Sequence, residues 1–175
     1  MTRRLEKCIW CNPMKRVINT SSAFLVFLIL VSCAAKLPDI SEYGDTPITI
    51  AGLLDEEFEI TPNELAKLKF EKSSVTGASA KAGTVSGIGP TLITFLEHYG
   101  KTPADFDKIR FIASDDYRIT LVGSKHTDDI VLFSISGSSR PLAKSERPMR
   151  LVIPGADSSQ WIYSVVRIEF EPVKG

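Results

Sequence analysis

Residues 108–122 of this 175-residue chain read KIRFIASDDYRITLV, and this stretch decides the fold class. On both sides of Asp115-Asp116, β-branched and aromatic residues alternate with polar ones, which is the pattern of half-buried strands. Two adjacent aspartates favour a tight turn between such strands. The stretch therefore predicts a β-hairpin with strands at 108–113 and 117–122.

Strand-like segments continue on both sides of this hairpin. They are short and rich in β-branched and aromatic residues, which is typical of a sheet that buries one face. Residues 77–89 (GASAKAGTVSGIG) separate two of them and, with four glycines, predict an exposed, mobile loop. The further segments lie at 46–51, 57–60, 69–76, 130–136, 149–153 and 162–170.

Helical signals are few. Thr61-Pro62-Asn63-Glu64 forms a capping box, with Thr61 as N-cap and Glu64 reaching back. A second helix is predicted to open at Pro90, because residues 92, 95, 96 and 99 are apolar at helical spacing and Gly100 can end it. The chain is therefore predicted to be an α+β, β-rich domain, with mixed β-sheets and two or three short helices.

The first 32 residues have the features of a bacterial lipoprotein signal peptide. Lys15 and Arg16 precede an uncharged stretch, and Leu30-Val31-Ser32-Cys33 reads as a lipobox. The apolar run 23–31 is shorter than the roughly 20 residues that span a bilayer. We expect cleavage before Cys33, lipidation of its thiol and an extracytoplasmic, membrane-anchored location in the cell envelope. An uncleaved anchor or an ordinary secretory signal are the alternatives.

The predicted organisation has three parts. Residues 1–32 are the signal peptide, 33–45 a lipidated tether, and 46–172 the folded domain. Because Met14 would itself make a normal signal start, residues 1–13 are a possible mis-assigned extension. The C-x-x-C of Cys8 and Cys11 then has little meaning, since no second pair follows it.

Charge and cysteine content exclude some function classes. The chain has 21 basic and 21 acidic residues, of which five and one precede Cys33, so the remainder carries 16 and 20 and a net charge of −4. A mildly acidic domain is a poor nucleic-acid binder. Because no cysteine follows Cys33, the domain offers no disulfide, no catalytic thiolate and no thiolate metal ligand.

The order of these segments resembles the molybdopterin-binding domain of sulfite oxidase-type oxidoreductases. The likeness spans about residues 46–171 and implies that family's fold of mixed sheets and small helices, with molybdopterin as cofactor. The P-x-R-x-x-x-P-G pattern around Arg150 is its most specific part. The segments that carry the likeness are 48–53, 60–65, 87–92, 111–117, 148–155 and 167–169.

The departures from the family pattern concern the metal and the pterin. The family's molybdenum-ligating cysteine falls where this chain has Ser73-Ser74-Val75-Thr76-Gly77. A hydroxyl is a hard ligand, protonated at neutral pH, and cannot replace a soft thiolate. A family tryptophan is replaced by Ser86, and a K-W pair is missing at Tyr163-Ser164. The resemblance leaves Ser73, Ser74, Thr76 and Arg150 as candidate cofactor-binding residues.

Basic residues and histidines offer weaker candidates. Lys72, Lys81, Arg140, Lys144 and Arg147 lie near segments that line the pterin cleft in the resembled family, where a phosphate would need donors; solvated loop charges are the alternative. His126 with Asp128 and Asp129 could in principle hold a hard cation. No G-x-S-x-G elbow or P-loop is present.

Three hypotheses follow. The first is a lipid-anchored extracytoplasmic protein whose molybdopterin-binding-like domain is a non-catalytic binding or accessory module, with a pterin-like small molecule or an envelope protein as partner. The second is an active molybdopterin-dependent oxidoreductase with a hydroxyl ligand from Ser73, Ser74 or Thr76. The third is an envelope interaction scaffold whose contact loops are 77–89 and 138–147.

Overall fold

The computed structural model describes residues 37–76, 84–128, 130–153, 155–157 and 160–174. These residues belong to one compact unit. The predicted signal peptide, Cys33, Lys81 and Asp129 lie outside them. Within the described ranges, no helix combines the length and the apolar character needed to cross a membrane.

The described elements are ten strands, two α-helices and three 3-10 turns. The strands are β1 (Ile48–Ala51), β2 (Phe58–Ile60), β3 (Glu71–Thr76), β4 (Thr84–Gly89), β5 (Phe106–Ala113), β6 (Arg118–Val122), β7 (Leu132–Ser134), β8 (Ser136–Gly137), β9 (Arg150–Val152) and β10 (Val165–Pro172). The helices are α1 (Pro62–Leu65) and α2 (Leu92–His98), and the 3-10 turns are Pro103–Asp105, Gly123–Lys125 and Lys144–Glu146.

The strands form three sheets. The largest has the order β2-β1-β10-β5-β6, in which β1 and β10 are parallel and the other pairs antiparallel. A second sheet has the order β3-β4-β8, and β7 pairs with β9 in a third. This β-rich architecture with mixed sheets and few helices confirms the predicted α+β class.

The predictions that depend on a few adjacent residues agree with the structure. β5 and β6 pair antiparallel through the predicted turn, in which Asp116 has a φ of 65°. At α1 the Thr61 N–H donates to Glu64 Oε2 at 2.8 Å, and the Glu64 N–H donates back to Thr61 Oγ1 at 3.2 Å. Helix α2 starts two residues later than predicted, because Thr91 is its N-cap and Pro90 lies outside it. Gly100 has a φ of +69°, as a helix-ending glycine requires.

The loop predicted at 77–89 is wrong for its second half. Residues 84–89 form β4, which pairs with β3 on one side and β8 on the other. Small residues are required here because a Cβ on Gly87 would overlap Ser134 Oγ and one on Gly89 would overlap Phe133 O. The glycines therefore indicate close packing of backbone rather than exposure. Residues 77–83 lie outside the described ranges.

The tether predicted for 33–45 extends too far toward the domain. Ile40 and Tyr43 are buried in the main hydrophobic core, at 5% and 4% exposure. The Tyr43 hydroxyl donates to the Ile135 carbonyl at 2.8 Å and accepts from the Leu142 N–H at 3.0 Å. Residues 40–45 are thus part of the folded domain, because two apolar side chains and a buried hydroxyl fix them there.

The core lies between the five-stranded sheet, α2 and the β7–β9 pair. Phe95 of α2 contacts Phe133 of β7 with ring centroids 5.3 Å apart, and Phe133 contacts Phe111 of β5 at 5.8 Å. The single strand predicted at 130–136 is divided at the buried Ile135 into β7 and β8, which join different sheets. This division brings β4, β7 and β9 together around Arg150.

Candidate functional site

Ser74 and Thr76 lie on an exposed face of β3. The register pairs Ser74 with Ser86 and Thr76 with Thr84 of β4. The two serine Oγ atoms are 2.6 Å apart and the two threonine Oγ1 atoms 3.1 Å apart. The hydroxyls of Ser74 and Thr76 therefore each have a partner hydroxyl directly across the strand pair.

Ser73 points to the other face of β3, because side chains alternate along a strand. It is half-buried and lies opposite Gly87. The three candidate hydroxyls consequently do not converge on one point. Lys72 shares the face of Ser74 and is exposed.

Arg150 is buried and its guanidinium is held by the protein itself. Nη1 donates to Glu146 Oε1 at 2.9 Å, Nη2 donates to the Ser86 carbonyl at 2.8 Å, and Nε donates to Ser134 Oγ at 3.3 Å. The side chain is 8% exposed. Arg150 thus joins β9 to β4, to β7 and to the 3-10 turn at Lys144–Glu146.

The structure brings two of the predicted residues together at Ser86. Its side-chain oxygen contacts Ser74 and its backbone carbonyl accepts from Arg150. Nearby, the Gly155 N–H donates to the Thr76 carbonyl at 3.3 Å, which brings the glycine of the P-x-R-x-x-x-P-G segment to the end of β3.

The donor set at this place does not fit a molybdenum–pterin group held through a protein sulfur. All three cysteines of the chain precede the domain, and the hydroxyls at 74 and 76 are neutral, hard oxygen atoms that already pair with other hydroxyls. A phosphate would need free charged donors. The buried arginine directs three N–H groups at a carboxylate, a carbonyl and a hydroxyl of its own domain.

The Arg147 side chain contacts Glu42 and Tyr43, in the segment that begins the domain, and does not face a cleft. Nη1 lies 2.8 Å from Glu42 Oε1, Nε donates to the Leu142 carbonyl at 3.0 Å, and the guanidinium carbon lies 4.7 Å from the centre of the Tyr43 ring. The Glu42 carboxylate raises the pKa of Arg147, chiefly through this hydrogen bond. Arg140 and Lys144, by contrast, are exposed.

The other charged candidates are separate from this region. His126 is half-buried directly after the 3-10 turn Gly123–Lys125. Among the described residues, no group of three or more His, Cys, Asp or Glu side chains is placed to hold a metal ion. His98, on α2, packs edge-on against Tyr99 at 4.9 Å.

Sequence reasoning missed an open groove of about 540 Å³ at one end of the five-stranded sheet. We call it the tyrosine groove. Two half-exposed rings, Tyr117 and Tyr163, stand at 47% and 42% exposure over a floor that includes the buried Trp161. Its lining consists of Ala113, Ser114, Asp115, Tyr117, Lys144, Ser145, Trp161, Tyr163 and Ser164.

Hydrogen bonds between distant segments shape this groove. Ser114 Oγ and Ser164 Oγ are 2.8 Å apart, and Ser164 Oγ donates to the Arg147 carbonyl at 2.6 Å. Ser164 has a φ of +52°, a strained conformation for a serine. The Ser114 N–H also donates to the Ser164 carbonyl at 3.0 Å. No signal in the sequence pairs positions 50 residues apart, so the groove could be found only in three dimensions.

Two wider grooves lie elsewhere on the domain. One, of about 780 Å³, runs between β2, α1 and α2 and is lined by Phe58, Glu64, His98 and Tyr99. The other, of about 880 Å³, lies beside the turn that follows β1 and reaches Pro172. Neither includes Ser73, Ser74, Thr76 or Arg150.

Comparison with known proteins gives a likeness in fold. No protein-family model matches the chain, and no curated protein sequence matches it. The fold is similar to the crystal structure of the sulfane dehydrogenase SoxCD from Paracoccus pantotrophus, with a TM-score of 0.61 and 17% identity. The match covers 75% of this chain and 40% of that one, so the chain spans less than half of its length. This likeness supports a sulfite oxidase-like fold.

Proposed function

We propose that this protein is a lipid-anchored, extracytoplasmic protein whose sulfite oxidase-like domain is a non-catalytic binding or accessory module. It does not carry out molybdenum redox chemistry. Its partner is another envelope component or a small molecule, and its mildly acidic charge makes it no nucleic-acid binder.

The observation that carries the proposal is that the buried Arg150 binds groups of its own domain through all three guanidinium nitrogens. An arginine that serves a ligand must present its planar N–H groups toward open space, as bidentate recognition of a phosphate requires. Here Glu146 and the Ser86 carbonyl occupy Nη1 and Nη2. The absence of any cysteine after Cys33 supports the same conclusion for the metal.

The lipid anchor rests on the sequence. A basic start at Lys15-Arg16, an uncharged stretch and the lipobox ending at Cys33 are the features that export and acylation need. Several acyl chains hold a protein at a bilayer firmly, because each buried CH₂ contributes about 0.8 kcal/mol.

Three measurements test the proposal. Fractionation of cells that express the wild type or Cys33→Ala should find the wild type with the membranes and the variant released from them or unprocessed. Mass spectrometry should find acyl chains on Cys33. The purified processed protein should show no electron transfer that depends on sulfite or a sulfoxide. Such transfer, lost on Ser73→Ala, Ser74→Ala or Thr76→Ala, would instead support an oxidoreductase with a hydroxyl ligand.

A further inference from the structure

The place where the chain joins the domain is fixed by contacts. Ile40 and Tyr43 are buried in the core, so the chain is held from residue 40 onward. Glu42 adds an ion pair of 2.8 Å with Arg147. Residues 40–43, which we call the joining segment, therefore attach the N-terminal part of the chain to the domain.

The distance from this point to Cys33 is short. Six residues separate Cys33 from Ile40, and the seven Cα-to-Cα steps between them span at most about 25 Å even when fully extended. A compact unit of about 140 residues has a radius of gyration near 14 Å, which corresponds to a sphere roughly 37 Å across. The connection is thus shorter than the domain is wide, and an acylated Cys33 would hold the joining side toward the bilayer.

The tyrosine groove lies on that same side. β1 follows the joining segment and runs parallel to β10, so both strands begin at one end of the five-stranded sheet. β5 ends and β6 begins there too, because each is antiparallel to its neighbour. We call this the attachment end. A direct chain of contacts links it to the N-terminal segment: Glu42 pairs with Arg147, whose carbonyl accepts from Ser164 in the groove.

The chemistry of the attachment end suits lipid headgroups. Tyrosine rings are enriched at the membrane–water interface, where an apolar ring and a polar hydroxyl each find their medium. Lysine extends its charged amine from such a position toward phosphate groups. Tyr117, Tyr163 and Lys144 combine these side chains on the rim of one groove, and all three are exposed to solvent.

We infer that the tyrosine groove is a membrane-facing surface, whose partner is the phospholipid headgroup layer of the bilayer that holds Cys33. The inference rests on the proposed lipid anchor and goes beyond it, because an anchored domain with a longer connection could face any direction. The opposite end of the sheet, where β5 begins and β10 ends, points away from the bilayer.

A single-cysteine probe tests this orientation. In the processed, acylated protein Cys33 is blocked and Cys8 and Cys11 have been removed, so an introduced cysteine is the one free thiol. The variants are Tyr163→Cys and, in case that one does not fold, Lys144→Cys. The matched control is Asp107→Cys, an exposed position about 20 Å along β5 from Ala113. Each carries an environment-sensitive dye and is reconstituted in phosphatidylglycerol–phosphatidylethanolamine vesicles with nitroxide-labelled headgroups.

Quenching of the dye at 163 or 144 should be several-fold stronger than at 107. Equal quenching at both ends, on protein that mass spectrometry shows to be acylated, would overturn the orientation and leave the lipid anchor standing. Protein that carries no acyl chain on Cys33 would overturn both proposals.

Discussion

The guanidinium of Arg150 donates a 2.8 Å hydrogen bond to the backbone carbonyl of Ser86, a residue 64 positions earlier in the chain. This contact joins β9 to β4, strands of two different sheets. The same serine meets Ser74 through its side chain. An arginine in the most specific segment of the family resemblance therefore has a structural task in this chain.

Removal of the Arg150 guanidinium should destabilise the domain severely. Arg150→Met removes the donor to Glu146 Oε1, to the Ser86 carbonyl and to Ser134 Oγ, and breaking a mostly buried ion pair costs about 3–5 kcal/mol. Urea denaturation of the two proteins measures the difference. The control is Arg118→Met, whose pair with Asp116 is exposed and 3.9 Å long, and which should change stability by less than about 0.5 kcal/mol. Equal stability of Arg150→Met and wild type would refute the structural role.

Loss of the Tyr43 hydroxyl should show that residues 40–45 belong to the domain. Tyr43→Phe removes the donor to the Ile135 carbonyl and the acceptor of the Leu142 N–H, so two buried backbone groups lose their partner. The expected cost is about 1–3 kcal/mol, read from thermal or urea unfolding. Tyr163→Phe, at an exposed ring, is the matched control and should be nearly neutral. If both substitutions were neutral, the segment would be a tether after all.

Two glycine-to-alanine substitutions should differ in how strongly they destabilise the domain. Gly89→Ala places a Cβ on the Phe133 carbonyl oxygen. Because a backbone atom cannot move aside as a side chain can, the substitution should lower the free energy of unfolding by about 3 kcal/mol. Gly100→Ala has open space around it and suffers only from its φ of +69°, at about 1 kcal/mol. Comparison of their unfolding midpoints checks the close packing of β4 on β7. The reverse order would mean that β4 is looser than described.

Acid should weaken the outer face of the large sheet. Hydrogen bonds from Arg167 first, and then from Arg110, lower the pKa of Glu169. A carboxylate with a lowered pKa in the folded state contributes stability that is complete above the unfolded value of about 4.3 and is lost as the pH falls toward the lower folded value. Urea midpoints between pH 6 and pH 3 should therefore fall less steeply for Glu169→Gln than for wild type. Parallel curves would contradict this contribution.

The sequence predicts the local elements because their causes are local. The capping box at Thr61 and Glu64, the helix end at Gly100 and the hairpin at Asp115-Asp116 each depend on a few adjacent residues. The resemblance predicts a sulfite oxidase-like fold from segment order alone, and the likeness to SoxCD supports that fold.

The failures arise where tertiary contacts decide. A glycine-rich stretch on its own predicts a loop. Here glycine is required at positions 87 and 89 because β7 packs too closely against them to leave room for a side chain. Residues 40–45 are polar enough to suggest a tether. Ile40 and Tyr43 are nevertheless buried in the core, by contacts that the local sequence does not predict. The tyrosine groove depends on the contact between Ser114 and Ser164, and no hydrophobic periodicity in the sequence predicts that contact.

The molybdenum content of the purified, processed protein tests the central claim most directly. Protein expressed in a host that makes molybdopterin, and purified without chelators, should contain molybdenum far below one atom per chain by elemental mass spectrometry. The physical reason is that no cysteine follows Cys33 and that Arg150 already donates to the Ser86 carbonyl and to Glu146. One tightly held molybdenum atom per chain would contradict the account.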